Sequence, residues 1–540
     1  MERSSRKVFL GRALGVLLLG LGASGAAKVQ LAHAGTARLA RPLRRLTVRN
    51  LGRAFASDRA RFATISPRSA SGRKTAALSV DLDRKLDVVF EVASRHAAGQ
   101  TVHSRTPMQL QRGYSEIPWS PKPSTAPGSY LLRVREVGPE GKPPGTVLGQ
   151  AIVRVLDVEA TFQKRSARAG RTANLTIQSD AKWLRVTLLR CGPEGEPTYS
   201  NSLMKGVPAA PPQRVDLRRA RGHKVGVYVP LPAELPSGLY CARLEGPSGH
   251  LGFAPLVIRP TTPSSRVAVV LPTTTWQSYN FYDENGDGFG GTWYALWSQR
   301  RVDLTRPHLR RGVPHRWRSY EVAFQHWLAL RGHVVDTYAD EDIELFPSPE
   351  ALRAAHDLLV FPGHTEYVTR RLYDLVEGYR NLGGRLIFLS ANNFFRRVDR
   401  DGNTVRLMGE WRKQGRPEAA LLGAQYVAND RGTSQQPYTV TGADIAPWAF
   451  AGTGLQNGST FGLYGVEIDA VTPASPPGTQ VLARIPDLMG PGRSGEMTYY
   501  ETAAGARVFS AGVLNFGGTI MLWTTVARIL DNVWVRMTSP

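Results

Sequence analysis

The chain reads as an all-β region followed by an α/β domain, and three observations say so. Residues 76–258 hold short alternating strands separated by Gly/Pro turns, the rhythm of a β-sandwich. From residue 266 to 540 the period changes: short apolar runs alternate with stretches that carry a helical face. A length of 540 residues also exceeds what one hydrophobic core supports, so two or three domains are expected.

The N-terminus reads as an export signal over residues 1–34. Arg3, Arg6 and Lys7 precede a charge-free segment, 13–27, which is short for a bilayer span, and Ala32-His33-Ala34 fits a small-x-small cleavage site. Ser5-Arg6-Lys7-Val8-Phe9-Leu10 resembles a twin-arginine signal with Lys for the second Arg. An uncleaved membrane anchor is the alternative. Residues 35–75 are basic and rich in Ser, Ala and Arg, and are expected to form a disordered extension. The net charge of +24 is concentrated here: residues 1–75 supply +14 of it. The rest is scattered Arg, with no basic face interleaved with aromatics and no zinc-finger, RNP or P-loop pattern, which argues against nucleic-acid binding.

In the sandwich region, strands are expected at 77–82, 88–92, 129–137, 150–156, 173–178, 184–189, 224–229 and 238–244. Turn signals such as Gly192-Pro193-Glu194-Gly195 lie between them. The two cysteines, Cys191 and Cys241, both fall in this region, and their spacing excludes CxxC chemistry. A disulfide and a pair of buried thiols both suit them. Residues 259–265 (Arg-Pro-Thr-Thr-Pro-Ser-Ser) read as a linker.

Beyond the linker, the runs 267–271, 358–361 and 386–389 have the composition of buried parallel strands. Ser319 can cap a helix with Val322, Ala323, Trp327 and Leu330 on one stripe, ending at Gly332. A second helix carries Leu372, Leu375, Val376, Tyr379 and Leu382 on one face and stops at Gly383-Gly384. Strands at 481–485, 497–500 and 507–510 and a closing helix from about 519 to 535 complete the domain. Strand–helix–strand order implies right-handed parallel crossovers, and the whole reads as a flavodoxin-like or glutamine-amidotransferase-like three-layer α/β domain. With no Cys at a strand end and no GxSxG elbow, thiol and serine nucleophiles are excluded.

Ligands of open parallel sheets bind outside the carboxyl ends of the strands. Three polar clusters fall there: Trp276-Gln277-Ser278-Tyr279-Asn280, His364-Thr365-Glu366-Tyr367 and Asn392-Asn393; Glu501 closes a later strand. His364 and Glu366 can share a pocket and either ligate a metal or move a proton, or else serve only as backbone partner and helix cap. Asp283, Asn285 and Asp287 repeat oxygen ligands at alternate positions with Gly288 at the sixth, like half of a calcium loop. Tyr294 stands where the bidentate acid belongs, and a plain acidic turn is the alternative.

Together, Thr275-Trp276-Gln277-Ser278-Tyr279-Asn280, Pro362-Gly363-His364-Thr365-Glu366-Tyr367, the strand 384–389 with Asn392, and Tyr499-Tyr500-Glu501 through Ala511-Gly512 resemble the large (β) subunit of N,N-dimethylformamidase. The likeness runs from about residue 80 to 540 and is best from 266 onward. It implies hydrolysis of an amide C–N bond at a mononuclear iron held by two tyrosinates and a glutamate. Carried over, Glu366 is the metal carboxylate, Tyr279 one tyrosine ligand and Tyr240 the other. His364 is the histidine beside the metal, and Asn392 and Glu501 line the site, with Glu501 as general base. Three anionic oxygens suit a hard ferric ion, and a nearby cation is what lowers a tyrosine pKa enough to ionise it. The resemblance implies a small amide as substrate; the family enzyme works with a small accessory subunit, and the residues here leave that and a homo-oligomer open. The rival readings are a non-catalytic exported protein that binds a ligand or envelope polymer, and calcium-stabilised carbohydrate recognition through the sandwich.

Overall fold

The computed structural model describes residues 42–540, apart from 70, 71, 140, 141, 143, 199, 221 and 297. The expected export signal, 1–34, lies outside the described residues. Two β-sandwiches precede the third part, where the sequence suggested one. In the first, the sheet Leu43–Asn50, Ala76–Leu82, Gly113–Trp119 packs on the sheet Phe62–Ile65, Val147–Val155, Gly128–Glu136, Leu86–Ala97, Gly99–Leu110. Leu46, Val48, Leu78, Phe90 and Leu132 share its core.

Over the described residues of 35–75, which begin at 42, this corrects the expectation of a disordered extension. Strand Leu43–Asn50 turns Leu43, Leu46 and Val48 inward and leaves Arg44, Arg45 and Arg49 outside. The basic composition hid a half-buried alternation.

The second sandwich pairs Val225–Pro230, Thr172–Ser179 and Val158–Phe162 against a sheet built around Leu251–Arg259, Gly238–Glu245 and Trp183–Arg190. Its strand Gly238–Glu245 is covered on both faces. Tyr240, Ala242 and Leu244 fill the sandwich core, while Leu239 and Cys241 join Trp317, Phe324 and Trp327 in the core beneath the third part. Cys191 and Cys241 are buried free thiols.

The third part is a nine-stranded mixed sheet. Asp336–Ala339, Val267–Leu271, Leu358–Phe361, Arg385–Phe388 and Arg507–Ser510 run parallel. Gly495–Glu501, Gln480–Ile485, Gln435–Val440 and Thr460–Gly465 follow antiparallel. Helix Arg370–Asn381 buries Leu372, Leu375, Val376 and Tyr379, and the Thr369 hydroxyl accepts from the Leu372 N–H at its start. The helix expected from Ser319 breaks at Glu321 into Trp317–Tyr320 and Val322–Leu330. The Glu321 side chain turns into the core there and accepts from Trp276 Nε1 at 3.0 Å. The closing helix is Thr524–Thr538. Both sandwiches and this sheet belong to one compact unit, 39–540.

Candidate functional site

Three chain segments leave the carboxyl ends of parallel strands and converge. After Val267–Leu271, the helix Thr273–Ser278 delivers Tyr279. After Leu358–Phe361 come His364 and Glu366; after Arg385–Phe388 comes Asn392. Gly363 lies against Glu321, so a bulkier residue would displace the loop. Asn393 Oδ1 accepts the Thr365 N–H at 2.9 Å, and the Thr275 hydroxyl accepts the Tyr367 N–H at 3.2 Å. These bonds fix the direction of His364 and Glu366. Asn392 has φ 55°, the left-handed region in which Asn is favoured.

The centre is a carboxylate ringed by phenols. Tyr279 donates to Glu366 Oε2 at 2.5 Å and Tyr294 donates to the same oxygen at 3.3 Å. Tyr294 and Tyr367 share a hydrogen bond, and Trp293 Nε1 donates to the Tyr367 oxygen at 3.1 Å. The Tyr279 and Tyr294 rings stack at 4.5 Å, and the His315 ring stacks on Tyr279 at 5.5 Å. Tyr320 meets the His364 ring at 6.1 Å. Arg396 Nε is 3.6 Å from Glu366 Oε1.

A second carboxylate, Glu467, lies 3.8 Å from His364 Nε2, which is itself 3.6 Å from Glu366. Asn392 Nδ2 donates to Glu467 at 2.8 Å, and the Asn392 N–H to Asp469 at 2.8 Å.

Electrostatics make this site unlike a settled ion-pair network. Burial, then the charge of Glu366, pushes the Tyr279 phenol well above its ordinary value, and Tyr294 and Tyr367 follow for the same reasons. Burial raises Glu366 against the pull of Arg396 and its tyrosine donors. Burial and then Glu366 lift Glu467 to about 8; burial holds His364 down at about 3. Two buried atoms, His364 Nε2 and Asn392 Oδ1, have no hydrogen-bond partner, a costly state that a bound group would relieve.

Those orphaned atoms and the oxygen donors fit a hard cation. Among the described residues, no three His, Cys, Asp or Glu side chains come together at metal-binding distance, so such a cation requires phenol oxygens. Tyr279 and Glu366 stand where the sequence put them. Tyr240 does not: its hydroxyl donates to the Pro236 carbonyl at 2.8 Å inside the sandwich core. The correction is one of strand register, since residues 239 and 241 face the third part and 240 faces away. Tyr294, Tyr367 and Tyr320 are the phenols at hand instead.

Glu501 is the other correction. Strand Gly495–Glu501 runs antiparallel to Arg507–Ser510 and pairs Glu501 with Arg507, the strand's first residue. Glu501 therefore lies at the amino ends of the parallel strands, exposed and bonded to Tyr499 and Arg536. Its place near His364 is taken by Glu467, on a strand, Glu467–Ala470, that pairs with Gln425–Asn429.

The Asp283 loop closes on itself. Both carboxylate oxygens of Asp283 accept backbone N–H groups, from Gly286 at 2.8 Å and Gly288 at 3.0 Å, and Asp287 accepts from Phe289. The loop docks on the first sandwich through Arg59, which donates to the Asn285 carbonyl at 3.2 Å, and through Arg95, 3.7 Å over the Phe289 ring. The alternating oxygens of Asp283, Asn285 and Asp287 thus have a structural account of their own.

Tyr367 lies within the His364–Tyr367 cluster and Tyr294 at the end of the Asp283 loop pattern, but the sequence assigned neither a place at the site. Glu467 carries no local signal.

The arrangement defines the class: a β-rich protein with a buried cluster of phenol and carboxylate oxygens at the carboxyl ends of its parallel strands. The chain belongs to the N,N-dimethylformamidase beta subunit-like family, whose C-terminal domain matches residues 195–528. No curated protein sequence matches it. Among solved structures, trypsin-activated α2-macroglobulin from Escherichia coli is 12% identical, covering 40% of this chain and 17% of that one, with a TM-score of 0.23. The Yersinia pseudotuberculosis adhesin InvE is 15% identical, covering 40% and 58%, with a TM-score of 0.15. In both, less than two thirds of the other protein is spanned.

Proposed function

We propose that this protein is an exported, iron-dependent hydrolase of an amide C–N bond. One observation carries the reading: Tyr279, Tyr294 and Glu366 meet in a buried site beside a His364 nitrogen that has no partner. Tyr279, Glu366 and one of Tyr294, Tyr367 or Tyr320 would hold the ion. Ferric iron, when bound, supplies Lewis acidity that makes water a better nucleophile and polarises the amide carbonyl.

The chain's own residues supply positioning and proton transfer. Water adds to the carbonyl carbon, the C–N bond breaks, and the proton released by water ends on the leaving amine. Glu467 would carry that proton. Burial and Glu366 lift its carboxyl to about 8, so it can both gain and lose a proton near neutrality. Asn392 Nδ2 holds it at 2.8 Å and His364 stands beside it, kept neutral by burial. The phenyl and indole groups of Tyr279, Tyr294 and Trp293 keep bulk water away from the reacting carbon.

The test is to load the purified protein with ferric iron and measure iron content, the visible tyrosinate band and release of amine from N-methylformamide. Near-stoichiometric iron, a coloured protein and amine release that drops at least a hundredfold in Glu467→Gln support the reading. Protein that stays colourless and inert after loading refutes it. Export is tested separately by asking whether residues 1–34 direct a folded reporter out of the cytoplasm.

A further inference from the structure

The segment between His308 and Tyr320 carries charge that the hydrolytic reading does not use. Arg310 and Arg316 are both exposed, and partial desolvation, then the positive charge of Arg316, lowers the Arg310 guanidinium from its ordinary value. Among the described residues neither is in an ion pair with a carboxylate. Their neighbours differ: Arg311 pairs with Asp157 at 3.4 Å, and Arg396 with Glu366 and Glu410.

Arg316 directly follows His315, which stacks on Tyr279, and precedes by one turn Tyr320, which meets His364. Exposed itself, Arg316 marks the solvent side of the site through two neighbours whose rings reach into it.

The segment is held there rigidly. The Phe253 N–H donates to the Arg311 carbonyl at 2.7 Å. The Leu309 N–H donates to Asn280 Oδ1 at 3.1 Å. Gly312 packs so closely on the second sandwich that a Cβ would fall 2.5 Å from the Phe253 carbonyl carbon. Arg316 itself is fixed at φ 57°, ψ 21°, a left-handed conformation that a β-carbon disfavours. Strain of this kind and two adjacent like charges each cost free energy, and both recur where an anion is recognised.

We propose that the entrance to this site binds a carboxylate, and that the substrate is an amide bearing an anionic group, gripped by Arg316 with Arg310 adding to the field. A guanidinium offers two parallel N–H donors that match a carboxylate's two oxygens. The proposal rests on the amide-hydrolase reading for the reaction but not for the binding.

The experiment compares N-formylglycine, which carries a carboxylate, with neutral N-methylformamide. Wild-type protein is expected to prefer N-formylglycine by roughly tenfold or more in kcat/KM, the worth of one charge-assisted contact. Arg316→Asn is expected to collapse that ratio, since Asn tolerates the left-handed backbone but carries no charge. Arg316→Lys is expected to restore part of it. Circular dichroism and unfolding midpoints confirm that each variant folds. If wild type shows no preference, or Arg316→Asn keeps it, the carboxylate site is wrong while turnover of N-methylformamide still upholds the hydrolase. If neither amide is turned over, calorimetry with N-formylglycine decides. Binding to wild type that is lost in Arg316→Asn upholds the carboxylate site and sinks hydrolysis; equal binding, or none, overturns the carboxylate site.

Discussion

Gly363→Ala should uncouple the site loop from the core beneath it. A Cβ built at 363 stands 2.7 Å from Glu321 Cγ and 2.8 Å from Cδ, with Oε1 nearer still. Glu321 has nowhere to go: it is fully buried, and its Oε1 accepts the Trp276 N–H at 3.0 Å. Either the carboxyl moves and that bond is lost, or the loop before His364 rises. Overpacking a tight interior costs about 1–3 kcal/mol and an unsatisfied buried donor about as much again, so the total is about 2–6 kcal/mol. Urea unfolding followed by tryptophan fluorescence reads it. The second arm is Glu321→Ala, which opens space for the new methyl. Because the two residues touch, the double variant should be less destabilised than the sum of the singles by at least about 1 kcal/mol. A Gly363→Ala protein within about 0.5 kcal/mol of wild type, or strict additivity in the cycle, would show that this contact does not hold the loop.

Glu321 also predicts a pH dependence. Burial lifts its carboxyl from 4.5 to about 8, with the Trp276 bond pulling the other way. Over that window the folded protein keeps a proton that the unfolded chain releases, so stability falls as pH rises from about 4.5 to about 8. In Glu321→Gln the midpoint should fall less steeply between pH 5 and 8; an identical slope contradicts the assignment. Tyr279→Phe should lower bound iron severalfold, whereas Tyr240→Phe should keep the iron and lose about 0.5–1.5 kcal/mol with its Pro236 hydrogen bond. Metal analysis of both proteins distinguishes the site phenol from the core phenol. Asp283→Ala strands the backbone N–H groups that close its loop and should cost about 2–5 kcal/mol. Wild-type melting should be the same in calcium and in chelator; a calcium-dependent rise would revive the ion-binding reading of that loop.

The local signals in the chain carried far. Buried strands announce themselves by composition, so 267–271 and 358–361 emerge at those bounds, and the polar residues after them land at one end of one sheet because parallel strands share a direction. Helix Arg370–Asn381 was equally plain, since its apolar spacing needs no partner to be recognised. Composition misled where it outweighed pattern: the arginines of Leu43–Asn50 concealed Leu43, Leu46 and Val48.

Sequence alone therefore determined that Tyr279, His364, Glu366 and Asn392 gather, because each is tied to its strand by a few residues of chain. Tertiary structure alone decided the rest. Which face of Gly238–Glu245 meets which core depends on two sheets packing at once, and that turned Tyr240 inward to the sandwich. Which end of the sheet receives Glu501 depends on strand direction, which an isolated strand does not encode; the antiparallel pairing sent it away. Glu467 reaches His364 by the same kind of long-range pairing, and two carboxylates forced together out of water acquire the proton affinities that neither has alone.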